Sequence, residues 1–127
     1  MAKKRNAPQI TVTMQPEVLA QVDARSRYRS TQINRDLEAY YALMRAVRAE
    51  LRLTLGKREQ AALLAAMRWA GSELVVDAAA VPGAVRDWCA ALSPIQRLAV
   101  MDAARRYHYQ RRRGGEPEPR LFEENGE

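Results

Sequence analysis

The chain begins with one short stretch of period-two alternation and then changes to helical spacing. Gln9 to Met14, QITVTM, sets Ile10, Val12 and Met14 on one face and Gln9, Thr11 and Thr13 on the other, the pattern of a half-buried strand. Pro16 suits a first helical turn and Glu17 the positive end of a helix dipole, which predicts a helix over about residues 16–25 with Val18, Leu19 and Val22 on one side. Ser30 is a good N-cap, and apolar residues recur after it at Ile33, Leu37, Tyr40, Tyr41, Met44, Val47 and Leu51. Steps of three and four predict a long amphipathic helix. Thr54 can cap a third helix to about Ala70, carrying Leu63, Leu64 and Met67 and closed by Gly71. Ser72 and Glu73 start a short fourth helix that Pro82 interrupts, and Pro82 can open a fifth with Val85, Trp88, Cys89 and Leu92 on one face. Ser93, Pro94 and Gln96 form a capping box with proline at the first helical position, which predicts a last helix to about Gln110. Asp102 falls on the apolar stripe of that helix and calls for a partner such as Arg106 one turn on.

No second strand is expected. A lone strand has unpaired backbone groups on both edges, so it must either pair with another copy of itself or not be a strand, and an intermolecular two-stranded ribbon solves the problem.

Charge changes the picture more than composition does. Of the 127 residues, 47% are hydrophobic, and the net charge is +6. Residues 1–56 and 57–113 each hold ten Lys/Arg against five Asp/Glu, whereas residues 114–127 hold one against five. The basic excess therefore belongs to the part expected to fold, and a polyanion becomes a candidate partner. The tail GGEPEPRLFEENGE, rich in Gly, Pro and Glu, is expected to be disordered. The longest apolar run, Ala61 to Met67, is far below the ~20 residues of a membrane span, and no apolar segment follows MAKKRN as in a secretory leader. A cytoplasmic protein without membrane association is expected. One cysteine, Cys89, and one histidine, His108, make neither an internal disulfide nor a four-ligand zinc site. No glycine-rich phosphate loop, metal-ligand cluster or nucleophile triad is present, so neither an enzyme nor a cofactor is expected. Cys89 reads as a core residue, and the run Arg105 to Arg113 reads as a solvated helix end with the alternative of a nucleic-acid surface.

The strand QITVTM, the helix opening PEVLAQV and the second opening STQINRDLEAY, behind a basic arm, resemble the ribbon-helix-helix (MetJ/Arc) family of DNA-binding repressors over about residues 3–50. The stretch from Leu19 to Ser30 is about one helical turn shorter than is usual there, with Arg27, Tyr28 and Arg29 where glycine is customary. The resemblance implies a mainly α fold: an N-terminal ribbon-helix-helix with an intermolecular two-stranded antiparallel β-ribbon, then a C-terminal helical region. The corresponding division is a flexible basic arm (1–8), a dimerisation and DNA-binding domain (9–53), a helical C-terminal domain (54–113) and a disordered acidic tail (114–127). It also implies that the ribbon enters the major groove of double-stranded DNA, with Gln9, Thr11 and Thr13 as base readers. Phosphates would fall to Lys3, Lys4, Arg5, Arg27 and Arg29 and to the amino end of the second helix at Ser30, Thr31 and Gln32. The dimer core would comprise Ile10, Val12, Met14, Val18, Leu19, Val22, Ile33, Leu37 and Tyr41. The function so implied is sequence-specific transcriptional regulation, as a repressor, by a homodimer that can assemble further on DNA. The alternatives are an antitoxin or other interaction protein that binds a protein partner through the C-terminal helices, and a plasmid partition or processing accessory factor.

Overall fold

The computed structural model describes residues 11–123. Its helices are α1 (Pro16–Arg25), α2 (Arg29–Leu51), α3 (Lys57–Ala65), α4 (Gly83–Ala90) and α5 (Pro94–Arg112), and its one sheet pairs β1 (Met67–Ala70) with β2 (Glu73–Val76). The chain divides into two units, residues 1–38 and 39–127, and the division falls inside α2.

In the first unit, Pro16 opens α1 behind an extended Gln15, and the helix stops where Ser26 becomes extended. The Ser26 hydroxyl accepts the Tyr28 amide at 3.0 Å, and α2 starts directly afterwards at Arg29. Ser30 thus lies within the first turn of α2 and is not its cap. Thr11 to Met14 form no strand within the single chain, because no described segment offers them a ladder; Gln9 and Ile10 lie outside the described residues. Val22 is the one residue of α1 that is fully buried.

The sheet lies in the second unit, at a place the sequence reading assigned to helix. Helix α3 ends at Ala65, not at Ala70, and Ser72 lies in a turn from which Glu73 starts a strand instead of a helix. The antiparallel register sets Met67 opposite Val76 and Trp69 opposite Leu74, so Gly71 and Ser72 form a two-residue turn. Gly71 has φ +65°, a conformation that hairpin turns of this length need and side chains resist. Gly71 therefore reverses a ribbon and does not end a helix. The expectation that no second strand occurs fails with it.

Helix α3 starts behind an extended Gly56. Thr54, expected to cap it, donates its hydroxyl to the Leu51 carbonyl at 2.6 Å and so closes α2. Pro82 precedes α4 as expected. The capping box of α5 forms as the sequence predicts, with the Gln96 amide donating to Ser93 Oγ at 3.3 Å and the Ser93 amide to Gln96 Oε1 at 2.9 Å. At its far end Gly114, φ +89°, lets the amides of Gly114 and Gly115 return to the carbonyls of Arg111 and Gln110, both at 2.9 Å. This is a Schellman termination. A Cβ on Gly115 would stand 3.0 Å from the Gln110 carbonyl oxygen.

The core of this unit is built from Met44, Val47 and Leu51 of α2, Leu63 and Leu64 of α3, Val85 of α4 and Ala99, Val100, Ala103 and Ala104 of α5. Residues 114–123, expected to be disordered, complete it. Leu121 and Phe122 are each 3% exposed, and the Phe122 ring meets Trp88 edge-on at 6.2 Å, while Trp88 Nε1 donates to Thr54 Oγ1 at 3.0 Å. The buried Gln60 carboxamide accepts the amides of Leu121 (2.9 Å) and Phe122 (3.4 Å) and donates to the Leu55 carbonyl at 2.8 Å. Two apolar residues with their backbone satisfied outweigh the Gly, Pro and Glu around them.

Phe122→Ala is expected to lower the unfolding free energy by about 3–5 kcal/mol, the usual loss for a buried phenylalanine. Urea denaturation followed by circular dichroism measures it; a midpoint equal to that of the unmodified chain would show that the tail packs without contributing to stability.

Candidate nucleic-acid interface

Two helix ends separated by a tight turn dominate the described part of residues 1–38. The turn is held by charges. Arg29 donates from Nε and a terminal nitrogen to both carboxylate oxygens of Asp23, at 2.8 and 2.9 Å. Arg25 meets Asp36 at 2.6 Å, and Gln32 donates to the other oxygen of Asp36 at 2.8 Å. The Arg29 hydrogen bond holds the Asp23 carboxyl below its ordinary value of 3.8, and the Asp23 carboxylate raises Arg29 in turn. Arg27 is different, lying over the Tyr28 ring at 5.1 Å.

The first hydrogen bond of α2 runs from the Gln32 amide to the Tyr28 carbonyl at 2.9 Å. The amides of Arg29, Ser30 and Thr31 precede it and have no carbonyl within the helix. The first turn carries no acidic residue, so nothing neutralises the positive end of the dipole from within α2. Ser30 and Thr31 are exposed and Gln32 is half-buried. The structure brings Arg27, Arg29, Ser30, Thr31 and Gln32 together in sequence at this turn. Lys3, Lys4, Arg5, Gln9 and Ile10 lie outside the described residues, and Thr11 and Thr13 are exposed.

The residues assigned to a dimer core are only partly covered by their own chain. Val22 is buried and Met14, Leu19 and Ile33 are half-buried, whereas Val12 is 63%, Val18 48%, Leu37 46% and Tyr41 50% exposed. Leu37 and Tyr41 are one turn apart on α2 and share a face.

The second unit holds polar features that the sequence reading did not find. The Arg48 guanidinium, 2% exposed, pairs with Asp102 at 3.4 Å and with Glu123 at 3.1 Å. The expected Arg106 partner of Asp102 is present at 3.8 Å and also reaches Glu123 at 3.7 Å, and the Tyr40 hydroxyl completes the group at 3.5 Å from Asp102. Burial pushes the Glu123 carboxyl up, but the Arg48 hydrogen bond and the charges of Arg48 and Arg106 more than offset this and hold it below 4.5. These residues are separated by 54 and 75 positions, a distance no periodicity signals.

His108 is buried, and Nε2 stands 2.9 Å from the Leu64 carbonyl, to which the neutral ring donates. Burial, with Arg111 nearby, holds its pKa below 6.5 against the Leu64 hydrogen bond. Burial raises the half-buried Cys89 thiol, which removes thiolate character. Among the described residues no group of three or more His, Cys, Asp or Glu is placed to hold a metal ion, and no helix is long and apolar enough to cross a membrane.

Compared with protein-family models, with curated proteins and with solved structures, the chain matches none. The resemblance to ribbon-helix-helix proteins therefore rests on residues 3–50 themselves.

The neutral His108 gives a pH dependence with a definite sign. Its folded pKa is depressed, so its contribution is fully present above the unfolded value of about 6.5 and is lost as pH falls through the folded value. Urea midpoints are expected to hold level near pH 8 and to decline below about pH 6.5, and His108→Gln, which can still donate to Leu64, is expected to flatten the decline. An unchanged slope in the variant would assign the dependence elsewhere.

Proposed function

We propose that the chain is a homodimeric, sequence-specific DNA-binding repressor that presents a two-stranded ribbon, one strand from each copy, to the major groove. What carries the reading is the apolar face that one copy leaves in solvent. Val12 lies in the alternating segment, Val18 on the first helix after it and Leu37 and Tyr41 on the second, the order in which a ribbon-helix-helix dimer buries such residues. A second copy placing its own strand against Ile10, Val12 and Met14 satisfies the ladder and removes these side chains from water together. The opposite face then presents Gln9, Thr11 and Thr13, whose amide and hydroxyl groups suit adenine edges and thymine methyls. The turn at Arg27 to Gln32 offers a phosphate three first-turn amides and the Arg27 guanidinium, which makes no salt bridge among the described residues, with Lys3, Lys4 and Arg5 as further backbone contacts.

The test begins with selection of preferred duplexes from a random pool by the full-length chain. Gln9, Thr11 and Thr13 changed together to alanine are expected to leave the dimer folded and to abolish the preference, since each lost base contact costs about 1–3 kcal/mol. Retention of the preference by a folded variant, or a stable folded monomer by sedimentation, overturns the proposal. The Asp23 pairing supplies a second check. Asp23→Asn releases Arg29 and is expected to tighten binding to random duplex about two- to fivefold and to steepen its salt dependence by about one contact. Unchanged binding would remove Arg29 from the phosphate contacts.

A further inference from the structure

The arginines of this protein are held in different ways, Arg86 and Arg97 by donating to backbone carbonyls. Arg25, Arg29 and Arg48 are paired with carboxylates. At the carboxyl end of α5 the partners are rings: Arg111 lies over Tyr107 at 5.9 Å, Arg112 over Trp69 at 5.3 Å and Arg113 over Tyr109 at 5.7 Å. Residues Ala103 to Arg113 include five arginines and no carboxylate. Of the five, Arg106 is taken by Asp102 and Glu123. The guanidinium groups of Arg105, Arg111, Arg112 and Arg113 make no salt bridge among the described residues, and all four side chains are exposed.

A carboxylate occupies the in-plane N–H donors of an arginine and cancels its charge. A ring contacts the flat face and leaves the donors and the charge directed outward, while restricting the side chain. Two of the rings are themselves held. Tyr107 packs against the core and meets the His108 ring edge-on at 4.9 Å, and Trp69 reaches across from β1 to donate its Nε1 to the His108 carbonyl at 3.4 Å; Tyr109, one turn before Arg113, is exposed. The helix dipole favours cations here, but the carbonyls of Gln110 and Arg111 are already bonded by the Gly115 and Gly114 amides, so the guanidinium donors are not spent on them.

We propose that this end of α5, with Trp69, is a binding surface for the phosphodiester backbone of double-stranded DNA, made of residues other than those of the strand and the α1–α2 turn and without base selectivity. Planar donors on preset guanidinium groups match phosphate oxygens in pairs. The choice of duplex over single strand follows from the rings: single-stranded nucleic acid is held by stacking bases on open aromatic faces, and here a guanidinium covers one face of each ring. From Arg105 to Arg112 the cations extend along about 10 Å of helix, enough for several phosphates.

The full-length chain with Arg105, Arg111, Arg112 and Arg113 changed to glutamine is tested on a random-sequence duplex of about 30 base pairs between about 50 and 300 mM KCl. Affinity at about 100 mM salt is expected to fall about 10- to 100-fold, and the salt slope to flatten by about three. The corresponding lysine variant, which keeps charge, is expected to remain within about threefold of the unmodified chain. Equal affinity and slope for the glutamine variant overturn the proposal, as does stronger competition by random single-stranded RNA than by duplex at equal phosphate concentration. A measurement on the unmodified chain covers a glutamine variant that fails to fold: arginine modification by phenylglyoxal, mapped by mass spectrometry, is expected to show duplex protection at residues 111–113, and absence of protection overturns the proposal. None of these readouts uses a preferred site, so they stand whether or not the strand reads bases.

Discussion

Burying a guanidinium is among the most costly things a folding chain can do, and Arg48 in α2 is almost wholly out of water. It is tolerated because two carboxylates come to it from far along the chain, Asp102 from α5 and Glu123 from the segment after it. Such a pair is poor evidence of net stability, since an apolar replacement often serves as well. Its effect is on uniqueness, because an arrangement that left Arg48 unpaired would lose about 3–5 kcal/mol. The packing of residues 39–127 follows from that requirement. Helix α5 must lie with Asp102 inward, and the chain must turn back at Gly114 and Gly115 to return Glu123.

Much of this was readable in advance where the signal is local. Ser93, Pro94 and Gln96 announce the start of α5 because a capping box is satisfied by residues three apart, and Pro16 with Glu17 announces α1 for the same kind of reason. The hairpin was also written in the chain, as Gly-Ser between two short runs with Trp69, Val75 and Val76, but apolar residues at Leu63, Leu64 and Met67 fit a continued helix equally well. Backbone conformation at Gly71 decided between them, and the identity of a glycine alone does not reveal its φ. The tail illustrates the opposite limit. Its Gly, Pro and Glu content describes residues 114–120 as poor core material and hides the two, Leu121 and Phe122, that matter.

At the candidate interface the structure sets the arginines assigned from the sequence at one turn but in different surroundings. Arg27 and Arg29 looked equivalent. In the structure Asp23 occupies the donors of Arg29 while Tyr28 leaves those of Arg27 available, a difference set by where α1 ends relative to α2. Counting cations thus overstates the charge that this turn presents more than it does that at the end of α5, where the neighbours of Arg111, Arg112 and Arg113 are aromatic. Charge availability depends on partners brought together by folding, which a linear tally does not contain.

The placing of the two tryptophans gives the protein a pair of independent optical reporters. Trp88 is packed edge-on against Phe122 and hydrogen-bonded to Thr54, so its emission follows the seating of the returning tail. Trp69 sits under the Arg112 guanidinium with its indole nitrogen on the His108 carbonyl, so its emission follows the last turns of α5. Replacing either by phenylalanine leaves a single-tryptophan chain in which one of these regions can be observed by fluorescence without attaching a dye.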